Sequence, residues 1–515
     1  MYNYNDGWIM KKNKTEQSPK NESINSKKEL KKSLEDNVKL FKEFFQGDVT
    51  FTTRFFANQE QEKPKFCILY IDGMVDVEVA NRTIIQPIVQ STLSKKFEGN
   101  LDAILEQVVL SNNAEKLCDI DELIVRIVRG ESVLLMEKSN EALVIDTKGW
   151  KSRAITEPEN EKVQRGPREG FVEPFLINLS MIRRKLATPD LKIENMIIGV
   201  RTKTNICICY LDNIVNKQIL NELLKRLGKI SYDGFLGSGQ IAELIDDSPY
   251  SLFDKIGGTE RPDFAVEQML EGRIIVVVDG TPSVLIVPFL FDDYFKANDD
   301  YYINFYYTSI GRILRFLSFI ITILLPALYV AILTFHQEMI PSPLLFSLSA
   351  AREGIPFPTI VETLGLLIVF EILREAGMRA GVQLIQSLSI LGALVLGTAA
   401  VDARIVSASV IIIVALTGLT GLMIVKIKGP AIILRFIMVL LAGFMGLYGI
   451  VFGILGTVLH LCSLRSFGVP YLLNFNSLKS EMFNNVLVRP PLWKISKRPV
   501  LISGKNKIKK GKSSN

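Results

Sequence analysis

Histidine is almost missing from this sequence: its 515 residues hold 2, His336 and His460, both in or at the ends of apolar stretches of the second half. That scarcity excludes histidine-dependent nucleophilic or acid–base catalysis before Ile303. Other chemistry-bearing motifs are missing too. There is no Walker A loop, no H-E-x-x-H and no paired C-x-x-C, and Gly237-Ser-Gly239 lacks the third glycine of a dinucleotide fingerprint. No enzyme activity, cofactor or metal is expected. Of the 5 cysteines, Cys207 and Cys209 form C-x-C in an apolar run; on a strand both face one way and read as buried free thiols, as do Cys67, Cys118 and Cys462.

Acid is scarce in the second half. Between Ile303 and Ser480 the only acids are Glu338, Glu353, Glu362, Glu371, Glu375 and Asp402, and none follows Glu481. This composition split marks a domain boundary near 300. The net charge of +6 gathers toward the two ends, with Arg489, Lys494, Lys497, Arg498, Lys505, Lys507, Lys509, Lys510 and Lys512 in the last stretch. Beside membrane spans such a tail reads as a cytoplasmic anchor on anionic membrane lipid, each basic residue contributing roughly 1 kcal/mol. No nucleic-acid-binding motif accompanies the charge, so nucleic acid is not expected as a partner. The first residues carry no apolar run long enough for a signal peptide, which leaves the soluble part in the cytoplasm.

Periodicity supplies the fold class: an α/β soluble portion of two subdomains, followed by an all-α polytopic membrane domain. Residues 1–35 are polar and Lys/Asn/Ser-rich, a disordered leader. In the first α/β subdomain, 36–150, Leu34, Val38, Phe41 and Phe45 keep helical spacing. Phe66–Ile71 is a short apolar run ending at Asp72-Gly73, a buried strand, and 133–146 reads as two strands joined at Ser139-Asn140. The second, 151–300, carries helices at 174–186, 216–227 and 240–247 among strand-like runs at 195–200, 205–211, 273–278 and 284–290.

The membrane domain is expected over 301–465, with spans near 313–335, 383–401, 405–425 and 430–461 and a basic cytoplasmic tail over 466–515. Thr359–Glu375 is apolar but holds four charges, so it is assigned as short, re-entrant or interfacial. Four spans put both ends in the cytoplasm, as the positive-inside rule asks of the tail, yet leave Lys426 and Lys428 outside. Arg315, near the start of the first span, is expected to snorkel toward the cytoplasmic face.

Three sets of residues are candidates for function. Glu371, Arg374 and Glu375 share one side of their helix while Glu362 points the other way; they either pair at the membrane surface or line a cation path or its vestibule. Gly446, Gly449, Gly453 and Gly456 fall on one helical face, where they let another helix approach, within the chain or across a subunit interface. Arg165-Gly-Pro-Arg168-Glu169-Gly-Phe-Val-Glu173 is a dense charged loop, either plainly solvated or an intersubunit contact, the latter favoured.

Several stretches carry a resemblance. Leu69-Tyr-Ile-Asp-Gly-Met-Val-Asp76, Arg165 to Glu173, Arg261-Pro-Asp263, Glu271-Gly-Arg-Ile-Ile-Val-Val-Val-Asp-Gly280, Phe370-Glu-Ile-Leu-Arg-Glu-Ala-Gly377 and Ile390 to Val401 resemble the A-subunit family of bacterial spore germination receptors, the GerA family. The resemblance implies two α/β subdomains before a membrane part, a place in the spore inner membrane, and assembly with a transporter-like B subunit and a lipoprotein C subunit. It also implies nutrient sensing that starts germination, with this subunit a homo-oligomer forming the monovalent-cation pathway. A non-conducting signalling scaffold, or an accessory paralogue that amplifies ion release, is the alternative. After Gly377 the family usually shows a proline-bearing stretch, where this chain reads Met378-Arg-Ala-Gly-Val-Gln383.

Overall fold

Short apolar runs bounded by turn residues make the strands of two separate sheets. The computed structural model describes residues 29–58, 65–91, 100–111, 113–149, 157–158, 161, 163, 165–379, 397–473, 475, 486–495, 497–499, 501–504 and 506–509. The expected leader up to residue 28, and residues 383–396 of the expected span at 383–401, lie outside them. The chain divides into two compact units, one formed by 1–44 with 52–148 and the other by 45–51 with 149–515.

In the first unit, α1 (Leu34–Phe44) buries Leu34, Val38 and Phe41, the stripe its spacing predicts. The sheet contains β1 (Phe51–Phe56), β2 (Phe66–Ile71), β3 (Ala114–Leu117), β4 (Ser132–Met136) and β5 (Ala142–Ile145), in the order β1-β2-β4-β5-β3. The hairpin read at 133–146 is present, with Leu134 opposite Leu143. One sheet face is covered by helical turns from α2 (Val77–Ala80), α3 (Gln86–Gln90) and α4 (Leu101–Gln107), joined by a π-helical turn Asn81–Ile85. Ile84, Ile88 and Ile104 there meet Ile68, Leu134 and Leu143. The sequence reading missed β1, β3 and α5 (Ile120–Val128): β1 and β3 carry polar residues, and α5 follows its Asp119 cap with scarcely a break.

The second unit opens with residues 45–51, whose Val49 amide donates to the Ile193 carbonyl at 3.1 Å. Its sheet contains β6 (Leu191–Ile198), β7 (Thr204–Leu211), β8 (Gly257–Thr259), β9 (Ile274–Val278) and β10 (Val284–Val287), in the order β6-β7-β9-β10-β8 and antiparallel throughout. The central strands are apolar on both faces because both are covered. Ile206, Ile208 and Val276 face a core shared with α7 (Lys217–Leu227) and α8 (Ser238–Ile245). Cys207, Cys209, Ile275 and Val277 face α6 (Phe175–Lys185) and α9 (Pro262–Leu270). Cys207 and Cys209 are thus buried free thiols on one side, as alternation requires, and Cys67 is buried too, whereas Cys118 and Cys462 are exposed.

A helical layer follows in the same unit: α10 (Phe305–Phe335), α11 (Ser342–Ala351), α12 (Thr359–Arg379), α13 (Gly397–Asp402), α14 (Ala408–Leu422) and α15 (Lys428–Ser463). Two of these helices, 31 and 39 residues when α15 is counted from Val425, are long and apolar enough to cross a membrane by length and composition. Helix α10 starts eight residues before the expected span, and Arg315 reaches back toward the sheet, its guanidinium bonding the Asp300 carboxylate at 2.8 Å. Helix α12, expected to be short, re-entrant or interfacial, is packed among α10, α14 and α15, with Leu367 and Thr363 fully buried.

The run expected as one span at 430–461 folds back on itself. Gly446 sits at φ 60°, ψ −139°, far from helical geometry. Beyond it the chain reverses: a Cβ built on Gly453 would stand 2.5 Å from the Met438 sulfur, and one on Gly449 would strike the Leu441 carbonyl. Residues 438 and 453 would be about 22 Å apart on a straight helix. Lys426 at one end reaches Asn298 at 3.4 Å, and His460 at the other reaches Ser251 at 3.0 Å, so both ends return to the connections that flank the second sheet. Positive φ with strongly negative ψ is a region open essentially to glycine, and a side chain there costs about 1–3 kcal/mol. Gly446→Ala is therefore expected to lower thermal stability of the detergent-solubilised protein by about that amount, whereas Gly456→Ala, which faces open space, leaves the melting temperature unchanged.

Candidate functional site

Two charged clusters stand out in the second unit, the first of them where the sequence placed functional candidates. The first is on α12. Glu371 accepts from Arg435 of α15 and from Arg374, one turn along its own helix, the latter at 2.5 Å. Both its carboxylate oxygens are thus engaged, and Arg435 is only 2% exposed. Glu375, four residues on, is exposed at the same end of α12. Glu362 points elsewhere, as its spacing predicts: buried, it accepts from the Ser407 backbone amide, the N-cap of α14, and lies 3.9 Å from Arg352. The structure brings Glu371, Arg374 and Glu375 together and leaves Glu362 at the far end of the helix.

The glycine set divides. Gly446 is the reversal point against Phe335, Gly449 and Gly453 let the two arms of α15 touch, and Gly456 meets nothing within 4 Å. The face computed for a single straight helix therefore does not exist. Three of the four serve packing within the chain, because a hairpin with arms this close tolerates only hydrogen at the crossing.

The loop from Arg165 to Glu173 is pinned from within. Pro167 accepts from the buried Arg261 at 2.6 Å, Glu169 pairs with Arg184 at 3.1 Å and Lys185 at 3.2 Å, and Gly166, at φ 129°, lies flat on the Tyr302 ring. Arg165, Arg168 and Glu173 stay exposed. A loop held this way presents fixed charges rather than flexible ones.

The second cluster was not legible in the sequence. Arg273, at the start of β9, forks onto Asp293 at 2.6 and 2.9 Å, and Lys296 joins Asp292 at 2.6 Å and Asp293 at 2.9 Å. A few residues on, Asp300 receives Arg312 at 2.6 Å as well as Arg315. These ties join the sheet to the first turns of α10. Burial pushes the Asp293 carboxyl up, but Arg273 and Lys296 outweigh it and hold the group well below the usual carboxylate range. The basic tail also turns back onto this region. Arg489 donates to the Ile303 carbonyl at 2.9 Å, Arg498 to the Leu270 carbonyl at 2.8 Å, and Lys509 lies 3.3 Å from Glu271. These three cations, expected to serve anionic lipid, are engaged by protein instead.

This arrangement of antiparallel α/β sheet, buried ionic junction and apolar helical layer defines a membrane-associated protein with a soluble portion, since the helices expose large apolar side chains such as Phe444, Tyr448, Ile412 and Leu419 that water would not tolerate as one surface. The chain belongs to the Bacillus/Clostridium GerA spore germination protein family, whose model matches residues 39–501. It is 40% identical to spore germination protein KA of Bacillus subtilis, over 88% of this chain and 84% of that one. It is 38% identical to the uncharacterized membrane protein YfkQ of the same organism, over 84% of each. A crystal structure of the N-terminal domain of the A subunit of the Bacillus megaterium spore germinant receptor GerK3 aligns at 30% identity and a TM-score of 0.41, over 52% of this chain and 98% of that one.

Two predictions follow from the clusters. Glu371→Gln strands the buried Arg435 charge and is expected to cost about 3–5 kcal/mol of stability, while the double replacement of Glu371 and Arg435 by Met recovers most of it; thermal unfolding of the purified variants checks this. The second concerns pH. Burial, reinforced by Glu271, pushes the Glu267 carboxyl from 4.5 up to about 8 against the opposing pull of Lys509, Lys296 and Arg312. A carboxyl raised in the folded state binds its proton more tightly folded than unfolded, so its contribution falls as pH rises from the ordinary glutamate value toward 8 and is flat above. Glu267→Gln should flatten that decline in melting temperature measured between about pH 5 and about pH 9.

Proposed function

We propose that this protein is the A subunit of a nutrient germinant receptor in the spore inner membrane, working with a transporter-like B subunit and a lipoprotein C subunit and forming an oligomeric, nutrient-gated path for monovalent cations. Membership of the GerA family across residues 39–501 is the observation that carries the germination role. Ligand-driven opening needs two states that the ligand binds unequally; the B subunit supplies the nutrient site and biases this oligomer.

The folded-back α15 supports a crossing count the sequence did not offer. Helix α10 leaves the sheet side at Arg312 and ends beside Gly446, and α12 runs from Ile360, against Gly443, toward Arg374. Helix α14 runs from Ser407, near Tyr329, to the Thr420–Thr322 contact. With the two arms of α15 and the expected span at 383–401, six crossings return Lys426, Lys428 and the tail to the side of the soluble sheet. That puts Lys426, Lys428 and the tail where the positive-inside rule asks for them.

Among the acids on α12, Glu375 is the exposed one, and that exposure is what places it toward a cation path in this reading. The pinned loop carrying Arg165, Arg168 and Glu173 is proposed as an intersubunit contact. The closed Glu371 ion pairs favour a second reading, a non-conducting scaffold or accessory paralogue that amplifies ion release. Flux decides between them: the protein reconstituted in vesicles should pass potassium, Glu375→Gln should reduce the preference for potassium over chloride, and Arg165→Glu with Arg168→Glu should shift the particle mass toward monomer. A monomer that passes no ion with B and C subunits present overturns the channel reading.

A further inference from the structure

A cavity of about 640 Å³ opens among α10, α12, α14 and the first arm of α15. Its size lies within the roughly 300–1,000 Å³ of small-molecule sites. Among the described residues its wall is apolar at one end, with Leu366, Phe370 and Val414, and holds three cations and no acid: Arg374, Lys428 and Arg435. Leu366 and Arg374 are separated by about 12 Å along α12, so the apolar and charged ends are distinct.

The charges do not balance. Glu371 is the carboxylate paired to this set, and it is shared by two arginines. The Lys428 side chain, partly exposed at the cavity edge, has no hydrogen bond or ion pair among the described residues. Arg435 is 98% buried, from an exposure of 2%, and its Nε donor has no partner; the Nε of Arg374 is buried and unmatched as well. Two guanidinium groups that share one carboxylate and keep buried, unmatched donors are costly unless an anion joins them.

We propose that this cavity binds an anionic amphiphile, a phosphate or carboxylate head against Lys428, Arg374 and Arg435 with an acyl chain between Leu366 and Val414. The site is separate from the proposed ion path and does not require it. A phospholipid of the bilayer and a free fatty acid share this chemistry.

The test uses the full-length protein, purified and stripped of lipid, in phosphatidylcholine vesicles carrying a trace of one photoactivatable probe. The probes are acyl-diazirine phosphatidylglycerol, acyl-diazirine phosphatidylcholine and a diazirine palmitate, with labelled peptides read by mass spectrometry. Phosphatidylglycerol or palmitate should label peptides from 359–379 and 408–422 in preference to phosphatidylcholine, and the stronger of the two names the source. Lys428→Gln should weaken that labelling about five-fold, the loss expected for one basic residue near an anionic head. Ala415→Phe, from a residue on the cavity wall, should block it by filling the space. Labelling around the exposed Val451 of the second arm serves as the control and stays constant in folded variants. Equal labelling of the cavity peptides by all three probes, or labelling unchanged in both variants, overturns the proposal.

Discussion

One residue's backbone sets much of the helical layer. Gly446 at φ 60° lets the apolar stretch after Lys428 return on itself, and the small Gly449 and Gly453 let the returning arm lie against the outgoing one. Reversal brings Lys426 and His460 to the connections that flank the second sheet, leaves Phe335 packed at the tip, and sets the first arm against α12, where Arg435 finds Glu371. Were the helix straight, one of those ends would lie more than 40 Å from the sheet by rise per residue.

The second unit couples sheet to helices through charge rather than through apolar packing alone. Arg273, Asp293 and Lys296 form one buried network and Asp300, Arg312 and Arg315 another, each with guanidinium forks or charge-assisted bonds near 2.6–2.9 Å. Removing one partner from such a network costs more than the network contributes when complete, because a stranded buried charge has no water to turn to. The junction is therefore intolerant of change, and relative motion of sheet and α10 has to occur with these pairs intact or exchanged for others. The basic tail adds contacts on the same side, with the Gly504 amide donating to the Ile214 carbonyl at 2.6 Å. Its cations thus help clamp the sheet that the junction holds.

The fold was legible where local signals sufficed. Phe66–Ile71 ends at a turn pair and is a strand; the run around Cys207 and Cys209 alternates between two covered faces, so it is apolar without interruption. Elements lacking such signals were lost, among them β8, whose Gly257-Gly258-Thr259 reads as loop until β10 pairs with it. The reversal in α15 was misread for a physical reason. Hydropathy measures the solvent a segment prefers and carries no information on direction, so 36 apolar residues score the same straight or folded. The signal was present in the glycine spacing, but helical-wheel geometry presumes the helix it is used to test. The pairs Glu371–Arg435 and Asp300–Arg315 were out of reach because partners 64 and 15 residues apart leave no periodic trace.

The candidate acids show why residue type alone underdetermines function in an apolar layer. Glu362, Glu371 and Glu375 are equivalent in sequence, each a carboxylate costly to bury. Folding assigns them different tasks: Glu362 accepts from the N-cap amide of α14, Glu371 balances two arginines, and Glu375 remains at the surface of α12. A carboxylate already committed to a cap or an ion pair can meet a passing cation only by giving up that partner, so its field is largely spent before an ion arrives. Glu371 can therefore act on another charge only by first giving up Arg435 or Arg374, and the partners that folding supplies, not the residue type, set what that carboxylate can do.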